Sequence, residues 1–191
     1  MELYLIGGAP CSGKSTYAKK LAQELNCSWI STDIIRDFMR TLVSPSQYPE
    51  FFDSVTLSAE EYYKKYSTSQ VYPRELLESK ITQPAITDFI AKLETYDHWN
   101  QYIIEGIALT PEYIKTLNER FPHITINSKV LCLDDEREIK KRVYTRGLWD
   151  DAPNYPDWVK EIEIQWVLQA NQWFKSETVK YSIDVKMYGN S

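Results

Sequence analysis

The chain predicts an α/β fold in three layers, a parallel sheet with helices on both faces. Three observations point there. Five short apolar runs alternate with helical patterns along the 191 residues, the order that builds parallel sheets with crossover helices. A glycine-rich run, Gly7-Gly8-Ala9-Pro10-Cys11-Ser12-Gly13-Lys14-Ser15-Thr16, lies between an apolar segment and a helical pattern. The composition, 43% hydrophobic and 26% charged, is that of a soluble globular domain long enough to bury a full core. No repeat or low-complexity segment interrupts it, so residues 1–191 are expected to form one domain.

The first strand is expected at 3–6, where Leu3, Tyr4, Leu5 and Ile6 are continuously apolar. The glycine-rich run then matches G-x-x-x-x-G-K-[ST] at Gly8, Gly13, Lys14 and Ser15. Strand, glycine loop and helix are the setting of a phosphate-binding loop. Backbone N–H groups from Gly8, Ala9, Pro10's neighbours, Cys11, Ser12, Gly13 and Thr16 converge on an anion, and the helix adds its positive end. Lys14 supplies a mobile charge for the β- and γ-phosphates and Ser15 a hydroxyl for Mg²⁺. The helix follows over 14–25, with Tyr17, Ala18, Leu21, Ala22 and Leu25 at helical spacing. Cys11, at a helix N-terminus, is expected to favour its thiolate.

A second strand at 28–31 leads into a helix at 34–42. Asp33 falls at the strand end and Arg36 one turn later on the same face. A carboxylate there suits acceptance of a proton from an attacking hydroxyl. The arginine suits the substrate's anionic group or the transferring phosphoryl. The alternative makes Asp33 a helix N-cap and Arg36 its solvated neighbour. Residues 44–73 are rich in aromatics and bounded by prolines. They read either as a small helical insertion burying its own rings, with a helix at 59–66, or as a flap (residues 43–73) over the acceptor at the C-terminal edge of the sheet.

A long helix is expected at 74–96 and a third strand at 102–105, ending in Glu105. An acid at this tip suits a Mg²⁺-associated carboxylate, directly or through water; a strand-end acid without metal is the alternative. Thr110 followed by Pro111 resembles an N-cap with proline at the first helical position, for a helix over 111–120. A fourth strand at 129–133 precedes a helix at 135–144, where Asp135 and Glu138 have the spacing of a capping box. Arg142 and Arg146, four apart, share a face. Residues 142–156 read as a short lid; a charged helix surface is the alternative. A helix at 157–175 carries Trp158, Ile162 and Trp166 in a stripe read as core. A fifth strand is expected at 183–187. His98 and His123 have no partner at a metal or catalytic spacing.

The net charge of −5 argues against a broad nucleic-acid-binding face. Three widely spaced cysteines form no zinc pattern and fit reduced thiols. No membrane span or targeting signal stands out, which makes the cytoplasm the expected location. Oligomeric state is not legible.

Asp33-x-x-Arg36 after the second strand resembles the P-loop kinases of small acceptors: nucleotide-monophosphate kinases, zeta-toxin-like kinases, 5′-hydroxyl polynucleotide kinases and 2-phosphoglycerate kinases. The segments STDIIRDFMRTLVSP (31–45) and IEGIALTP (104–111) are most similar to the 2-phosphoglycerate kinase group. The likeness covers most of residues 3–111 and is loose between 47 and 93. That group carries His where this chain has Ala108, so the acceptor here is open. The resemblance implies a five-stranded sheet of order 2-3-1-4-5, ATP with Mg²⁺, and a small, anionic hydroxyl acceptor. It implies for Asp33 the role of general base or acceptor-hydroxyl holder. The Arg142-x-x-x-Arg146 pair resembles the lid of nucleotide-monophosphate kinases, which implies that Arg142 packs on adenine and Arg146 reaches the phosphates. The rivals are a 5′-hydroxyl polynucleotide or nucleoside/nucleotide kinase, and a nucleotide-binding regulatory protein without efficient transfer.

Overall fold

The computed structural model describes residues 1–96, 100–148 and 151–188. His98 and, within the expected lid, Trp149 and Asp150 lie outside the described residues. The chain begins with β1 (Glu2–Gly8), α1 (Lys14–Leu25), β2 (Ser28–Ser31) and α2 (Thr32–Arg40). A helical segment follows, with a single 3₁₀ turn (Pro49–Phe51), α3 (Asp53–Thr56), α4 (Ala59–Lys65) and the long α5 (Thr68–Leu93). Then come β3 (Gln101–Glu105), α6 (Pro111–Arg120), β4 (Thr125–Leu133), α7 (Glu136–Thr145), α8 (Asp157–Tyr181) and β5 (Val185–Tyr188).

The five strands form one sheet of order β2-β3-β1-β4-β5, and every pairing is parallel. Side chains alternate across it as a two-residue period requires. On one face Leu3, Leu5, Tyr102, Ile104, Val130 and Cys132 join the larger core. On the other Ile6, Ile103 and Leu131 meet Ala18 and Ala22 of α1. Those two alanines let α1 lie close to the strands it covers. No described helix is long and apolar enough to cross a membrane.

Two helices outrun the sequence expectation. Pro73 marks a helix boundary at 74 in the sequence, yet α5 starts at Thr68 and holds both Pro73 and Pro84. Ser67 N–H donates to Gln70 Oε1 at 2.9 Å, fixing the first turn, while Val71 and Tyr72 are buried. That packing outweighs the one hydrogen bond that Pro73 removes. α8 continues past 175 until Ser182 takes the left-handed conformation at its C-cap. Of the predicted stripe on α8, Trp166 is buried, whereas Trp158 remains 39% exposed. At α7 the side chain of Asp135 accepts from the N–H groups of Arg137 and Glu138. The carboxylate of Glu138 turns instead to Arg142, so the reciprocal half of the capping box is replaced by an ion pair.

Candidate active site

The site grows from strand register. Ile6 of β1 and Ser31 of β2 both pair with Glu105 of β3. β2 and β3 end there, β1 runs on two residues to Gly8, and the loops leaving all three share one edge. After β1 the chain turns through the glycine-rich loop. A side chain at Gly8, whose φ is +132°, would run into the carbonyl oxygen of Leu131, so the loop leaves the sheet only because position 8 lacks one. Cys11 sits in the left-handed region at φ +60°. α1 then begins on Gly13, with no side-chain cap and no acid in its first turn. Its N–H groups and positive dipole end are left for an anion.

Lys14 Nζ donates to Ala9 O at 2.7 Å, folding the lysine back across the loop. Burial lowers its pKa, while Glu105 and Asp33 oppose the shift. Ser15 Oγ donates to Glu105 Oε1 at 3.0 Å. Burial pushes the Glu105 carboxyl above the usual range, against the pull of Lys14 and the Ser15 hydrogen bond. Serine hydroxyl and carboxylate are hard oxygen donors, the type Mg²⁺ takes. Among the described residues no group of three or more His, Cys, Asp or Glu could hold a metal. Phosphoryl-transfer sites need none, because one or two protein oxygens and the substrate phosphates suffice.

The Cys11 expectation is corrected. Burial raises its thiol pKa despite the opposing charges of Lys14, Arg142 and Arg146, so the neutral thiol is favoured.

Arg142 reaches the loop directly. Its Nη1 donates to Cys11 O, and its Nε donates to Glu138 Oε1 at 2.8 Å. Arg146 caps the C-terminus of α7 and is exposed. Below them the buried Glu163 of α8 accepts from Tyr155 Oη at 2.8 Å and from Leu148 N–H at 3.3 Å, tying the segment after α7 to α8. Burial raises its pKa to about 7.

Across the edge from the loop, Ser31 is the N-cap of α2; its Oγ accepts from Asp33 N–H at 3.2 Å. The capping role proposed as the alternative for Asp33 therefore belongs to Ser31, and the Asp33 carboxylate is free to meet Arg36 Nη1 at 3.3 Å. Arg36 also lies 3.9 Å from Glu78 Oε2 and 3.5 Å from Asp37 Oδ1. Burial works against this cation, yet Asp33, Glu75, Glu78 and Asp37 together hold its pKa above the ordinary arginine value. Asp33, Arg36, Glu75, Glu78, Thr32 and Ala108 line one cleft. Gly106 lies against Thr32: a Cβ there would collide with the Thr32 side chain.

Glu75, Glu78 and Arg40 are site features that the sequence did not disclose. Arg40 donates to Phe51 O at 2.7 Å, to Ser54 Oγ at 2.8 Å and to Glu78 Oε2 at 2.9 Å. It is buried and fastens the segment after α2 to α5. Phe51, Tyr62, Tyr63 and Tyr72 are buried too, and Trp166 Nε1 donates to Tyr63 Oη at 3.1 Å. Most rings of the aromatic segment thus pack inward. The only signal for the glutamates in the sequence is two acids three apart on a helix, which is also what a solvated face looks like. His123 is exposed and paired with Glu94, away from the loop.

The sheet order and this loop define a P-loop NTPase fold. A protein-family model described as an AAA domain (AAA_33) matches residues 3–157. The chain belongs to that family. It is 27% identical over 177 residues to a 2-phosphoglycerate kinase of Methanopyrus kandleri, an alignment covering 84% of this chain and 49% of that one. It is 32% identical over 114 residues to a 2-phosphoglycerate kinase of Pyrococcus furiosus, covering 59% and 37%. The chain thus spans about half or less of the length of these curated relatives. The crystal structure of TT1252 from Thermus thermophilus superposes with a TM-score of 0.53 at 14% identity, over 100% of this chain and 90% of that one, a likeness of fold.

Proposed function

We propose that the chain is a kinase that moves the γ-phosphoryl group of ATP to a hydroxyl of a small acceptor seated beside Asp33. The observation that carries this reading is the shared edge. The phosphate loop, the Ser15–Glu105 hydrogen bond and the Asp33–Arg36 pair all sit at the edge where β2 and β3 end and β1 runs on into the loop. An acid across the edge from the phosphate loop suits a phosphotransferase, which has an acceptor hydroxyl to orient.

The loop N–H groups and Lys14 bind the phosphates. Ser15 and Glu105 are the residues that would hold Mg²⁺, which when bound neutralises charge on the phosphate oxygens. Asp33 orients the acceptor hydroxyl and takes its proton as the new O–P bond forms. The bond from the γ-phosphorus to the bridging oxygen breaks, and ADP departs with the electron pair. Arg36 holds the Asp33 carboxylate in place, and Arg142 and Arg146 offset charge on the transferring group. Residues 142–156 act as a short lid and 43–73 as the wall of the acceptor side. Fixed charges and in-line positioning are the main protein contributions to this reaction.

The name of the curated relatives favours an anionic hydroxy acid as acceptor. Against it stands the engagement of Arg36 by carboxylates. Asp33→Asn tests the mechanism: turnover falls about 10³-fold with ATP affinity unchanged, measured by coupled ADP release and nucleotide titration. Turnover near that of the wild type removes Asp33 from its role and returns the nucleotide-binding regulatory protein as the better reading.

A further inference from the structure

On the nucleotide side, Glu163 of α8 is 0% exposed and has no role in the transfer described above. Its Oε2 accepts from Tyr155 Oη at 2.8 Å and from Leu148 N–H at 3.3 Å. Its Oε1 is buried with no hydrogen-bond partner among the described residues. A buried carboxylate with a bare oxygen is poorly stabilised. The cation that acts on it, Lys160, already donates to Asp157 Oδ1 at 2.9 Å. Taking up a proton removes the uncompensated charge.

A second observation ties this carboxyl to the phosphate loop. The charge of Glu163 reaches the Cys11 thiol, where it works against Lys14, Arg142 and Arg146. The Cys11 carbonyl in turn holds Arg142 Nη1. Glu163 also fixes the chain where α7 ends. Ala152 N–H donates to Arg146 O at 3.1 Å. The Tyr155 hydroxyl packs so closely on Gly147 that a Cβ there would overlap it. Loop, α7 end and α8 thus meet around one ionisable group. The titratable and charged groups facing it are Cys11 from the loop, Tyr155 from the segment after α7 and Lys160 from α8 itself. Burial raises its pKa to about 7 against Tyr155, the Leu148 N–H and Lys160, so near neutrality it carries its proton part of the time.

Nucleotide phosphates bring further negative charge to the loop. A like charge at short range in a water-poor site makes the carboxylate costlier still. We propose that Glu163 couples nucleotide binding to proton uptake: phosphates enter the loop together with a proton on Glu163, and the neutral acid holds the end of α7, with Arg142, against the loop. The proton comes from the buffered solvent and adds to the carboxylate; no bond of the nucleotide changes. The inference rests on nucleotide binding by the loop, part of the kinase reading above, and adds a dependence on pH to that site. By linkage, affinity is greatest at low pH and falls as pH rises through neutrality.

The test is calorimetry of the full chain with ADP and Mg²⁺, in two buffers of different ionisation enthalpy. The wild-type chain is expected to take up about 0.3–0.5 proton per ADP at pH 7. Its affinity is expected to fall about fivefold between pH 6 and pH 8. Glu163→Gln keeps the shape and an oxygen for Tyr155 and Leu148. It should lose the uptake and flatten the pH dependence, with thermal unfolding as the check that it is folded. Tyr155→Phe removes a donor that favours the charged form, so the fall in affinity should move to higher pH. A merely structural Glu163 would change affinity alike at every pH and leave the proton count as it was. Equal proton counts in wild type and Glu163→Gln overturn the inference and leave the kinase reading standing. No binding of ADP to the folded wild-type chain overturns both. If Glu163→Gln does not fold, Tyr155→Phe decides: an unmoved pH profile overturns the inference.

Discussion

The two sides of the shared edge are built from opposite materials. On the nucleotide side, a short contiguous stretch presents backbone N–H groups, an uncapped helix start and Lys14. On the proposed acceptor side, α2 and α5 present Asp33, Glu75 and Glu78 around Arg36. The first uses the peptide backbone and attracts anions whatever the side chains between its glycines. The second uses side-chain charge, and its character depends on which two helices are brought together. In the kinase proposed above, the loop would hold the donor, while the helix pairing would select the acceptor.

The largest effect is expected from removing the lysine of the nucleotide side. Lys14→Ala should lower kcat/KM for ATP by about 10³-fold or more, the cost of deleting a charge stabiliser in a water-poor site. Steady-state kinetics with varied ATP reads this directly; a loss below tenfold would mean that the backbone alone holds the phosphates. On the acceptor side the corresponding support is Arg40. Arg40→Leu leaves Glu78 buried without its closest cation and is expected to destabilise the fold by about 3–5 kcal/mol. Urea unfolding measures it, and restoration by a second change, Glu78→Leu, separates a stranded charge from lost packing.

Glu163 makes the two sides less unlike, because it puts a buried carboxyl under the nucleotide side as well. Its folded-state pKa is about 7 against a reference of 4.5, so between those values the folded chain binds more protons than the unfolded one. Its contribution is therefore complete at low pH, and stability falls as pH rises through that window. The loss is of the order of 3 kcal/mol by pH 8. Unfolding free energies at pH 5 and pH 8 should show a slope that Glu163→Gln flattens. An unchanged slope in the variant would assign it to other groups. The smallest expected effect is at the metal. Glu105→Gln removes the charge beside Ser15 and is expected to raise the Mg²⁺ concentration for half-maximal activity by about 10–100-fold. A variant with unaltered Mg²⁺ dependence would leave Glu105 a structural acid.

Much of the nucleotide side is legible in the amino-acid sequence. The bounds of α1, β2 and α6 follow from helical spacing, a short apolar run and the Thr110–Pro111 cap, each a local signal. The start of α5 is not legible, since Pro73 is a local stop signal that capping at Ser67 and the burial of Val71 and Tyr72 override. Nor is the state of Cys11, where the charges that lower a thiol pKa are readable from motifs but the burial that raises it is not.

The alternation of strands and helices, the phosphate loop and the Asp33–Arg36 spacing are thus written in the chain itself, because each depends on neighbours within a few turns. What surrounds Arg36 is a matter of packing. Glu78 reaches Arg40 across 38 positions, and Glu105 reaches Ser15 across 90. A charge on a helix looks the same in sequence whether it faces water or another helix. Its burial, and with it the sign of the cleft, is fixed only when the helices pack.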